Sequence, residues 1–182
     1  MATLTIVSGS PGAGKSTLSA RLSKDSSRGL WIPADSFYSF PAYPIDPTTP
    51  ESHVQNEAII RALGASASSF VQSGYDVVLD GIFGPWFLPI LLSDVELQVS
   101  VNYVLLTVDA GVAVSRVRER EGRGASARAL ATNRLFVELH EFNDHRLDTT
   151  RRTPDEVYSE VHARLLVGRF ALRRGEPTAA AV

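Results

Sequence analysis

The stretch IVSGSPGAGKSTLSARL, residues 6–22, joins a short apolar run to a helical pattern through a glycine-rich turn. Gly9, Ser10, Pro11, Gly12, Ala13, Gly14, Lys15 and Ser16 satisfy G-x-x-x-x-G-K-[ST] in full, and Thr17 follows. Glycines at these places let the backbone fold tightly enough for successive N–H groups to face phosphate oxygens. The helix opening near Lys15 adds the positive end of its dipole. Lys15 can bridge the outer phosphates of a nucleotide, and the Ser16 hydroxyl can coordinate Mg2+. A bound nucleotide is therefore expected here, but the motif leaves its use open.

Outward from this stretch, short β-rich runs alternate with longer helical patterns, the signature of a parallel sheet covered on both faces. Strands are expected at 3–9, 29–35, 75–81 and 98–109, with a short last run at 145–150. Helices are expected at 15–24, from Pro50 to about Gly74, and at 83–92, 111–121 and 135–146. In the long helix Thr49 is available as a cap, Glu51 lies in the first turn, and Val54, Ala58, Ile59, Ala62 and Leu63 keep a 3.6-residue period. Thr153, Pro154 and Glu156 give the final helix its own start signal. Residues 36–50, rich in proline and aromatics, are expected to be irregular, and 122–134 is expected to be a loosened basic stretch. With no internal repeat and no linker, residues 1–182 read as a single domain.

Composition narrows the classes. Apolar residues make up 44% of the 182, enough for a buried core, and Lys+Arg 18 nearly balance Asp+Glu 20. A broad nucleic-acid-binding face pulls that balance well above zero, so no nucleic-acid partner is expected. Cysteine is absent, which removes disulfides, a thiol nucleophile and thiolate zinc sites. No leader pattern is read before the first strand, and no apolar run approaches the ~20 residues that span a bilayer. A cytoplasmic location without a membrane partner is the expectation.

Several further residues have the chemistry for a phosphate-handling site. Asp35 closes the second strand, at the carboxyl edge where such sheets place ligands; it can take a proton from an acceptor hydroxyl or cap a turn. Asp80 closes the apolar strand VVLD, placed to assist Mg2+ through water or to hold the acceptor. His53 and Asn56 lie three apart on one helix face, which is either solvated or turned into a pocket. Arg116, Arg118, Arg120, Arg123 and Arg128 crowd one segment; a solvated helix face is the plain reading, but such arginines also neutralise transferring charge. Phe37, Tyr38, Phe40, Tyr43, Phe83 and Trp86 gather near the ends of strands two and three and fit the walls of an acceptor pocket, with some of them core filler.

With Gly9–Thr17, Asp35, VVLDG at 77–81, the arginine segment and DTT at 148–150 in place, the chain resembles a small P-loop kinase over roughly residues 3–170. It is similar to the gluconate and shikimate kinase-like enzymes, the chloramphenicol phosphotransferase family and the zeta-toxin group. Through Ser52-His53-Val54-Gln55-Asn56 and the pair Leu79-Asp80-Gly81 and Pro85-Trp86-Phe87-Leu88-Pro89, it resembles small kinases of the AAA_33 type. The resemblance implies a P-loop NTPase α/β fold, three-layer α/β/α, with a five-stranded parallel sheet in order 2-3-1-4-5 and a small lid about 120–134. It implies ATP and Mg2+ as cofactors and Asp35 as the base. Arg116, Arg120 and Arg128 would contact phosphates, and Thr150–Arg152 would border the adenine.

The expected function is ATP-dependent transfer of the γ-phosphate to a hydroxyl of a small-molecule acceptor: a sugar, sugar acid, antibiotic-like compound or nucleotide-sugar. The acceptor would meet Asp35, Tyr38, His53, Asn56, Asp80, Phe83 and Trp86. No basic signature for an anionic acceptor stands outside the lid, which weighs against gluconate or shikimate as substrate. A nucleoside or nucleotide kinase is the alternative enzyme. A nucleotide-binding switch without acceptor is the alternative class, and a GTPase switch would want an NKxD-type motif that the sequence lacks. Oligomeric state is not encoded in any of these patterns.

Overall fold

The computed structural model describes residues 2–96, 98–121 and 126–172, with only the backbone at 120–121, 126–129 and 140–141. In chain order the strands are β1 (Thr3–Gly9), β2 (Gly29–Pro33), β3 (Asp76–Asp80), β4 (Ser100–Thr107) and β5 (Arg146–Asp148). The helices are α1 (Lys15–Leu22), α2 (Asp35–Tyr38), α3 (His53–Gln72), α4 (Leu88–Leu91), α5 (Ala110–Glu121), α6 (Ser126–Val137) and α7 (Pro154–Leu166). All strand pairs are parallel, in the order β2-β3-β1-β4-β5, as the resemblance implied.

Alternation along the strands builds both layers. Leu4, Ile6, Val77, Leu79, Tyr103 and Leu105 point to one face and pack with Ile60, Leu63 and Ala67 of α3, Leu91 of α4 and Phe136 of α6. Val7, Val78, Val104 and Leu106 point to the other and meet Leu18 and Leu22 of α1, Ala113 of α5 and Val157 and Val161 of α7. The three-layer α/β/α arrangement follows. The three-residue β5 leaves the start of β4 uncovered. The segment after α7 closes it, with Tyr103 N–H donating to Phe170 O at 2.8 Å and Leu172 N–H to Val101 O at 2.9 Å.

Four expectations change in detail. Asp35 opens the short helix α2 rather than ending β2, so the start of the 36–50 stretch is helical. A 3-10 turn at Pro50–Ser52 precedes α3, and the Thr49 hydroxyl donates to Asp46 O at 3.2 Å instead of capping the helix. Residues 126–134, expected to be loose, lie in α6. Residues 135–146, expected to be one helix, divide into the end of α6, a 3-10 stretch at His140–His145 and the first residue of β5. The guanidinium of Arg146 donates to the carbonyls of Phe136 and Leu139 and to Val137 O at 3.2 Å, capping the end of α6 where the dipole favours a cation. Among the described residues no helix is long and apolar enough to cross a membrane.

Candidate active site

The site lies at the carboxyl edge of the sheet, where β1, β3 and β2 end in register. Val7 is paired with Asp80, and Pro33 with Asp80. From β1 the chain turns through the glycine-rich loop into α1. Gly12 has φ +75°, and a Cβ there would stand 3.0 Å from Ala113 O, so the loop also seats against α5. Gly14 has φ +92° and open space around it, so backbone conformation alone demands glycine at the start of α1. Lys15 Nζ reaches back over the loop to Gly9 O and Ser10 O, both at 3.1 Å. Ser10 Oγ is buried with no hydrogen-bond partner among the described residues.

Ser16 Oγ donates to Asp80 Oδ2 at 2.6 Å, tying the loop motif to the end of β3. Asp80 is 4% exposed and faces α1, because it shares the parity of Val78 on the strand. Its other oxygen accepts from the indole N–H of Trp31 on β2 at 2.9 Å. Two donors from separate elements therefore fix one carboxylate. The sequence reading missed Trp31. Its signal was the position two residues before the end of an edge strand, on the α1 side by alternation.

Beside the loop, Gly12, Ala13, Gly14, Thr17, Leu18, Arg116, Thr149, Arg152, Pro154 and Val157 line a cavity of about 370 Å3. Arg116 donates to Gly12 O at 3.1 Å. Thr149, buried, donates to Ala13 O and is within 3.1 Å of Thr107 O, pinning the end of β5 to the loop. Of the stretch expected to border the adenine, Arg152 lines this cavity. Thr150 instead accepts from Asp109 N–H at 2.9 Å. A complete capping box at Thr153 and Glu156 starts α7 at the cavity rim, and bonds from the Thr153 backbone N–H and hydroxyl hold the Glu156 carboxyl below the usual range. A left-handed cradle, an unpaired buried hydroxyl, a helix N-terminus and a lysine with an adjoining arginine fit a nucleoside triphosphate, and the Ser16–Asp80 pair fits its Mg2+.

On the other side of Asp80, Ala34 N–H donates to Asp80 O at 2.8 Å, and exposed Asp35 follows. The Tyr38 phenol is pushed above its ordinary value of 10.0, first by burial and then by the Asp35 carboxylate, so it remains a protonated donor. Phe83 is 1% exposed and belongs to the core; it does not wall an open pocket. Its carbonyl accepts from Ser8 Oγ and the Tyr103 hydroxyl, both at 2.7 Å, and this fixes the turn after β3. Trp86 is half-buried, its ring laid against Gly84. His53 is exposed and pairs with Glu57 at 3.3 Å. Asn56 donates to Pro47 O at 2.8 Å and Ser52 Oγ at 2.9 Å, so its amide binds the 46–52 turn rather than sharing a pocket with His53. Gln55, unnoticed in the sequence, grips Ile45 by both N–H and C=O at 2.8 Å. Arg118 is exposed, while Arg123 and the side chains of Arg120 and Arg128 lie outside the described residues.

A family model described as an AAA domain, AAA_18, matches residues 6–134. The chain belongs to this family. The match runs from within β1 to within α6 and spans the glycine-rich loop, Asp35 and Asp80. Among curated proteins no sequence matches. A sugar kinase from Janibacter sp. HTCC2649 is similar in structure at 19% identity, covering 93% of this chain and 97% of that one, with a TM-score of 0.70. A gluconokinase from Sinorhizobium meliloti 1021 aligns at 17% identity over 91% and 92%, TM-score 0.67. Thymidylate kinase from Candida albicans aligns at 15% identity over 94% and 95%, TM-score 0.62. At these identities the AAA_18 chain shares their kinase-like P-loop fold, and its chemistry has to be argued from its own residues.

Proposed function

We propose that this protein is an ATP-dependent phosphotransferase that moves the γ-phosphate to a hydroxyl of a small molecule. The observation that carries the reading is the Ser16–Asp80 bond at 2.6 Å, with Asp35 at the start of α2, two residues past the adjoining end of β2. It sets the nucleotide-holding loop and a candidate base on one short sheet edge. The kinase-like fold supports the same reading. ATP, when bound, supplies the phosphoryl group, and Mg2+ offsets its charge.

Gly9, Ser10, Gly12, Ala13, Gly14 and Thr17 would hold the phosphates through backbone N–H groups and hydroxyls, and Lys15 would leave the loop carbonyls for the outer phosphates. Ser16 would bind the metal, and its bond to Asp80 supports the metal-assisting role for that carboxylate over the acceptor-holding one. Arg116, already against Gly12, would add positive charge at the phosphates. Asp35 would accept the acceptor's hydroxyl proton, with the Tyr38 hydroxyl beside it as a donor that orients the acceptor. Trp86 would form part of the acceptor wall. His53 and Asn56 would shape it by ordering the first turns of α3. The chain would act as one domain, with 120–134 as a lid whose Arg120 and Arg128 close over the phosphates and exclude water.

The test is acceptor-stimulated ADP release by wild type and Lys15→Ala with ATP and Mg2+. Loss of stimulation in Lys15→Ala supports the reading, and equal turnover in the two proteins contradicts it.

A further inference from the structure

We propose that the acceptor is a hydroxyl compound that carries no negative charge and has an apolar, ring-sized body. This narrows the phosphotransfer reading and rests on it. Of the 18 Lys and Arg residues, Arg61 is the single one between Arg28 and Arg116. That interval supplies β2, α2, the loop into α3, β3 and the turn after it, the described elements next to Asp35 in chain and sheet order. Arg61 itself is exposed, two turns into α3. Arg28 is committed before β2 begins, donating to Ser73 O at 2.7 Å with its guanidinium 4.8 Å from the Tyr75 ring. His53 Nε2 lies 3.3 Å from a Glu57 carboxylate oxygen. The same region bears Asp35, Asp46, Glu51 and Glu57.

A carboxylate or phosphate on an acceptor bound beside Asp35 would meet that like charge, with no guanidinium or ammonium group between Arg28 and Arg116 but Arg61 to offset it. An anion that loses hydration without a cationic partner is strongly disfavoured, and like charge adds to the penalty. Sites that select anionic substrates present Arg or Lys to them. The described residues between Arg28 and Arg116 offer only Arg61, exposed on α3.

The segments that follow α2 and β3 instead carry exposed apolar side chains. Phe40 is 72% exposed, Tyr43 93% and Val54 77%, and Ile82, on the turn after β3, is 47% exposed. Gln55, beside Val54, and Asn56 fasten the loop to the start of α3 at Ile45, two residues beyond Tyr43, and at Pro47. Exposed aromatics gain from covering by a ring-sized apolar ligand, and among the Lys and Arg residues from β2 to the turn after β3 only Arg61 could ask that ligand to be an anion.

The test offers the full chain, with ATP and Mg2+, three acceptor sets. One is anionic (gluconate, shikimate, glucose 6-phosphate), one is uncharged aromatic alcohols such as 2-phenylethanol, and one is cationic, such as 2-amino-1-phenylethanol. ADP release above the acceptor-free rate is read. The expected result is a kcat/KM at least about tenfold higher for an uncharged or cationic compound than for any anion. Which of those two sets leads tells whether the acidic residues only exclude anions or also attract a cation. Arg61→Ala is expected to leave the KM of the best acceptor within about twofold. An anion as best acceptor, or a KM rise of about tenfold in Arg61→Ala, overturns the proposal. If ATP binds and no set raises ADP release, the phosphotransfer reading falls and takes this proposal with it.

Discussion

On the nucleotide side of the sheet edge, one local stretch does most of the work: Gly12 and Gly14 bend the backbone, Lys15 and Ser16 follow, and α1 starts at once. On the proposed acceptor side, Asp35, Ile82, Trp86 and the aromatic loop arrive from separate elements; Gln55 and Asn56 bond the loop at Ile45 and Pro47, and Ser8 and Tyr103 bond the Phe83 carbonyl in the turn after β3. Cations stand on the first side and carboxylates and rings on the second. The lesson is that a phosphate grip can be encoded by backbone conformation, whereas an acceptor grip has to be assembled, and so can diverge while the fold stays fixed.

The two sides should therefore respond differently to substitution. The largest effect is expected where they join. Asp80→Ala leaves the Ser16 hydroxyl and the Trp31 indole N–H without their acceptor; kcat should fall about a hundredfold and the Mg2+ concentration for half-maximal ADP release should rise. Trp31→Phe removes one of the two donors and should cost about three- to tenfold in the same assay, with acceptor KM unchanged. Gln55→Ala frees the loop at Ile45 and should raise acceptor KM about tenfold while ATP KM stays constant. A parallel rise in ATP KM would mean that the two sides are not separable.

The smallest effect concerns pH at the rim of the nucleotide cavity. Glu156 is held below its ordinary 4.5 by hydrogen bonds from Thr153, so its contribution to α7 is complete above that value and disappears as pH falls through the lowered one. Melting temperatures of wild type and Glu156→Ala should thus differ at neutral pH and converge in acid. A gap that persists there would assign the stabilisation to something other than the ionised capping box.

The contrast also explains what the sequence made legible. The glycine-rich loop and the capping box at Thr153 and Glu156 could be read because each is a short-range geometric requirement on a few consecutive residues. The face that Asp80 takes could not be read, because Val77, Val78 and Leu79 are all apolar and only the packing of α3 and α1 on opposite sides distinguishes them. Trp31 could not be read as the partner of Asp80, because residues 31, 80 and 16 meet only after β2 and β3 pair and α1 packs over them. Phe83 looked like a pocket wall because an aromatic after a strand is equally suited to core and site, and tertiary packing alone sends it inward. The irregular 36–50 stretch hid a helical turn and a loop whose shape depends on Gln55 and Asn56, residues that carry no turn signal of their own.

The most direct measurement is single-turnover phosphotransfer by Asp35→Asn, which keeps the side chain's shape and removes its basicity. With nucleotide affinity measured in parallel, transfer to the acceptor should slow by about a hundredfold or more while ATP binds as in wild type. Transfer at the wild-type rate would contradict the joining of donor and acceptor through Asp35 at this sheet edge.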